Sequence, residues 1–318
     1  MAVCKIGEWR LDASRGDGEL VMAPLASLVE SPRFGICLSF RASVIILHVL
    51  PELLHVGSFT LYTYTALINL GIAVGLAALY RQAPEGLAAR WLDAGLAATF
   101  GGFVGARLLY ALVHGNYYLA HPGEIFQIWR GGLAWPGAAF GGLIGAALYC
   151  SRKRIPLTPL LDALAMPVAL LGMLSWGGCL AAGCAYGVEV APGDLPAWMV
   201  VNSPDLYNLT VPRWPTQVVG IVWSMIALGS VWAARRNRWP TGARFAWALS
   251  LTALGPMGLG FLRGDPMPLV NNIRLDVIGS ALVLVAATLA WAILVARPAP
   301  VSDLQPPTSN FQPPTSDL

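Results

Sequence analysis

Trp129-Arg130-Gly131-Gly132-Leu133-Ala134-Trp135-Pro136-Gly137 runs straight on into Ala138-Ala139-Phe140-Gly141-Gly142-Leu143-Ile144-Gly145. An arginine and two tryptophans stand where a loop enters an apolar run studded with glycine. Trp and Arg favour the membrane–water interface, and glycines inside a spanning helix let another backbone or a lipid come close. A second such segment, Gly177-Gly178-Cys179-Leu180-Ala181-Ala182-Gly183-Cys184-Ala185-Tyr186-Gly187, repeats the theme. The pair predicts a polytopic membrane protein with a site built between helices.

The composition agrees. Hydrophobic residues make up 56% of the 318 and charged residues 12%, with a mean hydropathy of +0.61. A soluble domain carries roughly 25% charged residues. The net charge of +3 is too small to argue for a nucleic-acid partner. Cys4, Cys37, Cys150, Cys179 and Cys184 show no CxxC spacing, and their odd number does not suggest a disulfide framework. Cys179 and Cys184, five apart in an apolar stretch, read as small packing residues rather than ligands.

A spanning helix needs about 20 mostly apolar residues. Seven stretches qualify, near 59–80, 93–114, 132–150, 158–180, 216–234, 243–262 and 275–296. The expected fold is therefore an all-α integral membrane protein of about seven transmembrane helices. Cationic residues then set the orientation, since cytoplasmic loops are enriched in Lys and Arg. Arg81 and Arg90 flank the first connection, Arg152, Lys153 and Arg154 the third, and Arg235, Arg236, Arg238 and Arg244 the fifth. These connections alternate, so all three are placed in the cytoplasm, with the N-terminus outside and the C-terminus inside.

Residues 1–47 form an N-terminal extension, of which 1–34 show no signal-peptide pattern. Within it and just beyond, 35–56 is apolar but broken by Arg41, His48, Glu52 and His55. It reads as an amphipathic segment at the outer interface, or else as an imperfect eighth span. Residues 48–297 form the membrane domain. The tail from 298 to 318 repeats Gln-Pro-Pro-Thr-Ser and lacks the apolar residues a core needs, so it is expected to be disordered.

The order of segments resembles the prolipoprotein diacylglyceryl transferase family over roughly residues 48–296. Leu50-Pro51-Glu52-Leu53 with Val56-Gly57-Ser58-Phe59 and Tyr62-Thr63-Tyr64 is similar to the family's opening. Gly105-Ala106-Arg107-Leu108-Leu109-Tyr110 matches its Gly-[Gly/Ala]-Arg-x-x-Tyr, and Phe126 to Gly145 its next block. Gly178 to Gly187 is similar to the family signature in a divergent form. Pro215-Thr216-Gln217 resembles its His-Pro-[Ser/Thr]-Gln, and Phe261-Leu262-Arg263-Gly264-Asp265 the block after the sixth span.

The same comparison shows departures. A family His falls on Pro136, the signature's Gly-Arg on Ser175-Trp176, and its Asn and acidic residue on Cys179 and Cys184. The His before Pro215 is Trp214, and an Arg and a Glu fall on Pro256 and Gly260. Tyr64, Arg107, Gln217 and Arg263 are retained.

The resemblance implies a bacterial inner-membrane enzyme of lipoprotein biosynthesis. It would move a diacylglyceryl group from phosphatidylglycerol, or another anionic phospholipid, to the lipobox cysteine of a prolipoprotein signal peptide. No cofactor and no metal is implied. The thiol has to become a thiolate, and the phosphate has to be held where its charge grows, a task suited to the planar fork of Arg. The implied catalytic residues are Arg107, Arg263 and Tyr64, and the implied substrate-binding residues Trp135, Gly141, Gly142, Gln217 and Gly187. For Arg107 pairing with a helix-end carbonyl stays open, for Arg263 snorkelling to the interface, and for Tyr64 a place in the aromatic belt. Asp162 and Asp276, near the starts of spans, are expected to cap helix N-termini. The alternative function is an inactive member that binds phospholipid or lipoprotein.

Reporter fusions test the orientation. Fusions after Arg154 and after Arg238 should report cytoplasm, and one near Asp194 should report the outside; an external signal at Arg154 would overturn the topology.

Overall fold

The computed structural model describes residues 45–46, 52–56, 59–127, 131–191, 193–204 and 209–296. The expectations for most of the N-terminal extension, for the tail and for Trp129 lie outside these residues.

Eight helices carry the architecture: α1 (Thr63–Gln82), α2 (Ala88–Val113), the short α3 (Gly115–Ala120), α4 (Trp135–Lys153), α5 (Leu157–Ala182), α6 (Thr216–Ala233), α7 (Ala243–Leu259) and α8 (Leu275–Ala296). Six of them, α1, α2, α5, α6, α7 and α8, are long and apolar enough to cross a membrane. The helix over the expected third span is α4, which has 19 residues and is rich in Gly and Ala. The first expected span starts late, because 59–62 is a strand and the helix begins only at Thr63.

Short strands sit at the helix ends. β1 (Ile45–Ile46) runs parallel to β4 (Val201–Pro204), which pairs antiparallel with β5 (Thr210–Arg213). β2 (Glu52–Val56) and β3 (Phe59–Tyr62) form a hairpin that leads into α1, and β6 (Leu269–Val270) and β7 (Ile273–Arg274) one that leads into α8. The described part of 35–56 is thus extended. The strands pair with a register shift between Glu52 and Leu54, and His55 Nδ1 meets Thr60 Oγ1 at 2.8 Å across the hairpin.

The glycines of the opening stretch decide the packing. In α4, Gly137, Gly141 and Gly145 recur every fourth residue and so share one face. They lie against Gly105, Gly101 and Ala97 of α2, and a Cβ on Gly101 or Gly105 would overlap the carbonyl of Gly141 or Gly137. The approaching neighbour is a backbone, as small-residue helix pairs allow. α5 is the central helix, with α1, α6 and α7 against it. Gly71 of α1 receives Leu171 and Leu174, and Tyr64 lies on Gly178. The core between α5, α7 and α8 uses small side chains, among them Ala165, Ala169, Ala248, Ala253 and Ala287.

Asp162 caps a helix, but not its own. From α5 its carboxylate accepts the backbone N–H groups of Gly242 at 2.9 Å and Phe245 at 3.1 Å, and pairs with Arg244 at 3.6 Å. The start of α7 is satisfied from 80 residues upstream, a partnership that local spacing does not reveal. Asp276 does serve its own helix, accepting Val277 N–H at 2.9 Å in the first turn of α8.

Leucine at Gly141 should destabilise the detergent-solubilised protein by about 1–3 kcal/mol through forced separation of α2 and α4. Leucine at Gly229 of α6, where nothing lies within 4 Å, should be neutral or slightly stabilising. Thermal unfolding of the two variants checks the contrast.

Candidate functional site

The chain leaving α5 builds the site. The helix ends at Ala182, and Gly183 turns left-handed at φ 70°. Cys184 N–H then donates to Cys179 O at 2.9 Å, and the two cysteines are joined by a disulfide with Cα atoms 4.6 Å apart. This corrects the reading of Cys179 and Cys184 as packing residues. On a continuous helix, five residues put side chains about 140° apart. The left-handed turn removes that separation and brings the Cα atoms into the range a disulfide spans. Among the described residues, Cys150 is the free thiol, and it is buried.

Beyond the disulfide the chain bends at Ala185, φ 54°, and residues 184–190 form a strip held on both edges. Gln217 Nε2 donates to Cys184 O at 2.8 Å, and Thr216 Oγ1 to Ala185 O at 2.7 Å. Both donors are buried in the first turn of α6. Gly264 N–H donates to Tyr186 O at 2.8 Å, Val188 N–H to Leu262 O at 2.9 Å, and Trp214 N–H to Val188 O at 3.1 Å. Gly187 bridges to Arg263, and a Cβ there would overlap the Trp214 carbonyl. Gly187 and Gln217 therefore shape the backbone of the site.

Arg263 follows directly. Its Nε donates to Asp265 Oδ1 at 2.8 Å and its Nη2 to Asp265 Oδ2 at 2.5 Å, while Nη1 lies 3.3 Å from Asp276 Oδ2. Arg274 completes a square. It donates to both oxygens of Asp276 at 3.1 Å, sits 3.4 Å from Asp265 Oδ1, and reaches the carbonyls of Asp265 and Arg263 at 2.7 and 3.2 Å. Two guanidiniums thus face two carboxylates, and the formal charge of the cluster is zero. Burial alone would lower the Arg263 pKa, but the Asp265 hydrogen bonds, the Asp265 and Asp276 charges and the nearby Tyr64 outweigh it and push the pKa up. Arg263 is charged at every physiological pH. Arg274 escaped the sequence reading, although its R-x-D spacing to Asp276 repeats that of Arg263 to Asp265.

Trp135 reaches the same cluster from α4. Its Nε1 donates to Ser280 Oγ at 3.1 Å, and Ser280 Oγ donates to the Asp276 carbonyl at 2.6 Å. Arg213 is buried beside the strip. It meets Gly187 O and Glu189 Oε1 and lies 4.8 Å over the Tyr186 ring.

Arg107 has a different environment. Its Nε donates to Ile125 O at 2.7 Å, Nη1 to Gly131 O and Gly132 O at 2.7 and 3.0 Å, and Nη2 to Glu124 O and Gln127 O at 2.6 and 3.4 Å. The guanidinium is buried and also lies near the rings of Tyr110 and Tyr118. Every donor group of this arginine is spent on the loop that leads into α4. Gly141 lies in the α2–α4 backbone contact, and Gly142 lies beside it against Ala98 O.

Three of the positions that depart from the family pattern, 136, 176 and 260, are filled by packing. The Trp176 ring covers Gly220 of α6, Pro136 lies against Gly279 of α8, and Gly260 admits Val277. Among the described residues no three His, Cys, Asp or Glu side chains gather as a metal site would require. The histidines have local partners: His114 and His121 each meet a carbonyl one turn back, Tyr110 O and Tyr117 O.

The same chain is similar to several proteins that share one name. A phosphatidylglycerol–prolipoprotein diacylglyceryl transferase of Symbiobacterium thermophilum is 27% identical over 267 residues, covering 80% of this chain and 96% of its own. One of Nostoc sp. is 28% identical over 269 residues, covering 79% and 92%. One of Clostridium tetani is 28% identical over 219 residues, covering 68% and 86%. The model of prolipoprotein diacylglyceryl transferase matches residues 51–293, which hold the strip, the Arg263 cluster and the Arg107 loop, and the chain belongs to that family.

Proposed function

We propose that the protein is a phosphatidylglycerol–prolipoprotein diacylglyceryl transferase of the bacterial inner membrane. The observation that carries this reading is the family match across residues 51–293 together with a retained Arg263 fixed at the strip after α5. In the reaction, a thiolate sulfur of the prolipoprotein attacks the glyceryl carbon that bears the phosphate. A carbon–sulfur bond forms, the carbon–oxygen bond breaks, and glycerol phosphate leaves with the electron pair. The thiol proton goes to a base.

Arg263 holds the phosphate in this scheme. Asp265 grips it through two bonds, whereas Asp276 makes one longer contact at 3.3 Å. A phosphate oxygen replaces Asp276 at Nη1, and Arg274 retains Asp276 as that exchange occurs. Tyr64 stands at the same guanidinium. Arg107 acts as a positioning residue: it fixes the loop before α4 and so sets Trp135. Gly187 and Gln217 hold the strip that borders the phosphate, and Gly141 and Gly142 keep α4 close to α2.

Seven spans with the N-terminus outside fit this arrangement, α4 being the seventh. They put the Cys179–Cys184 disulfide on the outer side, where disulfides persist. The outer side is also where a prolipoprotein presents its lipobox cysteine.

Complementation of a strain depleted of its own transferase tests the reading. The unmodified chain should lipidate a reporter prolipoprotein. Arg263→Ala should reduce lipidation roughly ten- to a hundredfold, as expected for one charge-assisted phosphate contact. Absence of lipidation by a correctly inserted native chain would leave the inactive lipid- or lipoprotein-binding alternative. For Arg107, both Ala and Lys should lower thermal stability, because neither supplies the fork that satisfies the loop carbonyls. Normal stability with lost activity would assign Arg107 to the phosphate instead.

A further inference from the structure

We infer that the end of the bundle opposite the Arg263 cluster carries a second lipid site, which holds the headgroup of an anionic phospholipid from the adjoining leaflet. The two ends are joined by α7, whose 17 residues span about 25 Å.

The site is a groove of about 250 Å³ between the ends of α6 and α7, lined by Ser230, Ala233, Ala234, Asn237, Trp239 and Trp247. Trp239 of the loop and Trp247 of α7 wall it, and Trp291 of α8 packs against both rings. Trp239 meets Trp247 edge-on at 6.0 Å and Trp291 of α8 at 5.7 Å, and Trp247 and Trp291 lie 5.4 Å apart. Trp247 Nε1 donates to Ser230 Oγ at 3.0 Å, which fixes the wall. Trp291 Nε1 is buried without an acceptor among the described residues. The volume is below that of a site enclosing a drug-sized molecule, so it suits a headgroup with its chains left outside. Val222 and Ile226 are exposed on α6 on the face of Ser230, one and two turns before it, and offer the chains a path.

Charge selects the occupant. Residues 209–262 contain no Asp or Glu. Asp162 pairs with Arg244. Among the described residues, Arg235, Arg236 and Arg238 meet no carboxylate, and Arg236 lies 5.8 Å from the Trp232 ring. Arg236 and Arg238 are exposed beside Asn237 and Trp239 of the groove wall. The other end is the reverse: Arg263 and Arg274 are balanced by Asp265 and Asp276, and Arg213 meets Glu189. Surplus positive charge beside an aromatic groove at a membrane boundary fits a lipid phosphate, and each such cation contributes about 1 kcal/mol toward an anionic surface. The tryptophans supply an amphipathic wall at headgroup level.

The test uses the full-length protein in a neutral detergent, with bound lipid counted by native mass spectrometry during titration with phosphatidylglycerol or phosphatidylcholine. The native protein should retain one phosphatidylglycerol that survives Arg263→Gln, which separates it from any lipid at the other end. Arg236→Gln with Arg238→Gln should weaken that binding roughly thirtyfold, and Trp239→Ala should weaken it with both arginines intact. Size-exclusion profiles and unfolding temperatures confirm that the variants are folded, and Trp239→Phe, which keeps the wall, should retain the lipid. Equal binding of phosphatidylcholine would overturn the inference. So would unchanged retention by the double Arg variant, or complete displacement by millimolar inorganic phosphate, which marks a free-anion site. Binding that appears only after removal of residues 298–318 would also overturn it, the groove then belonging to the tail.

Discussion

Irregular backbone between membrane helices has to find partners for its carbonyls and N–H groups, and this chain meets that demand with very few side chains. One guanidinium, Arg107, takes carbonyls at five positions in the loop before α4. Two residues of the first turn of α6, Thr216 and Gln217, take the carbonyls left at the end of α5. An unsatisfied buried polar group costs about 1–3 kcal/mol, so each of these residues holds up far more backbone than its own contact area suggests. The strip at 184–190, the bridge to Arg263 and the placement of Trp135 all rest on that satisfaction.

The replaced polar positions follow from the same logic. An arginine or histidine in such a site needs several partners. A tryptophan at 176 needs only a flat, apolar place to lie, which Gly220 gives it. Pro136 needs no N–H acceptor at the first turns of α4, where its missing donor is harmless. At Arg263 the charge is gathered into a balanced square with Asp265, Arg274 and Asp276, whose formal charge is zero.

Much of the architecture was legible because it is written locally. Runs of apolar residues about 20 long marked the helices, and the glycines of the run from Gly137 to Gly145 marked a place where another backbone or a lipid comes close. What escaped the sequence depends on partners distant along the chain or on one backbone angle. Asp162 lies 80 residues from Gly242, so no window along the chain shows that it caps α7. The Cys179–Cys184 bond depends on the left-handed turn at Gly183, which a helical reading of the segment hides. Arg274 sat unnoticed in a polar turn because its role needs a hairpin to bring it back to Asp265. The retained residues Tyr64, Arg263, Gly187 and Gln217 do converge on one region, whereas the geometry gives Arg107 a loop of its own.

The glycine contact between α2 and α4 also constrains traffic in the plane of the bilayer. Where a single methyl group at Gly101 or Gly105 would collide with a carbonyl, no acyl chain passes. The two helices form one closed wall, and a molecule travelling laterally in the bilayer has to enter across another helix pair. Conformational motion that opens the domain therefore moves α2 and α4 together, as a single plate.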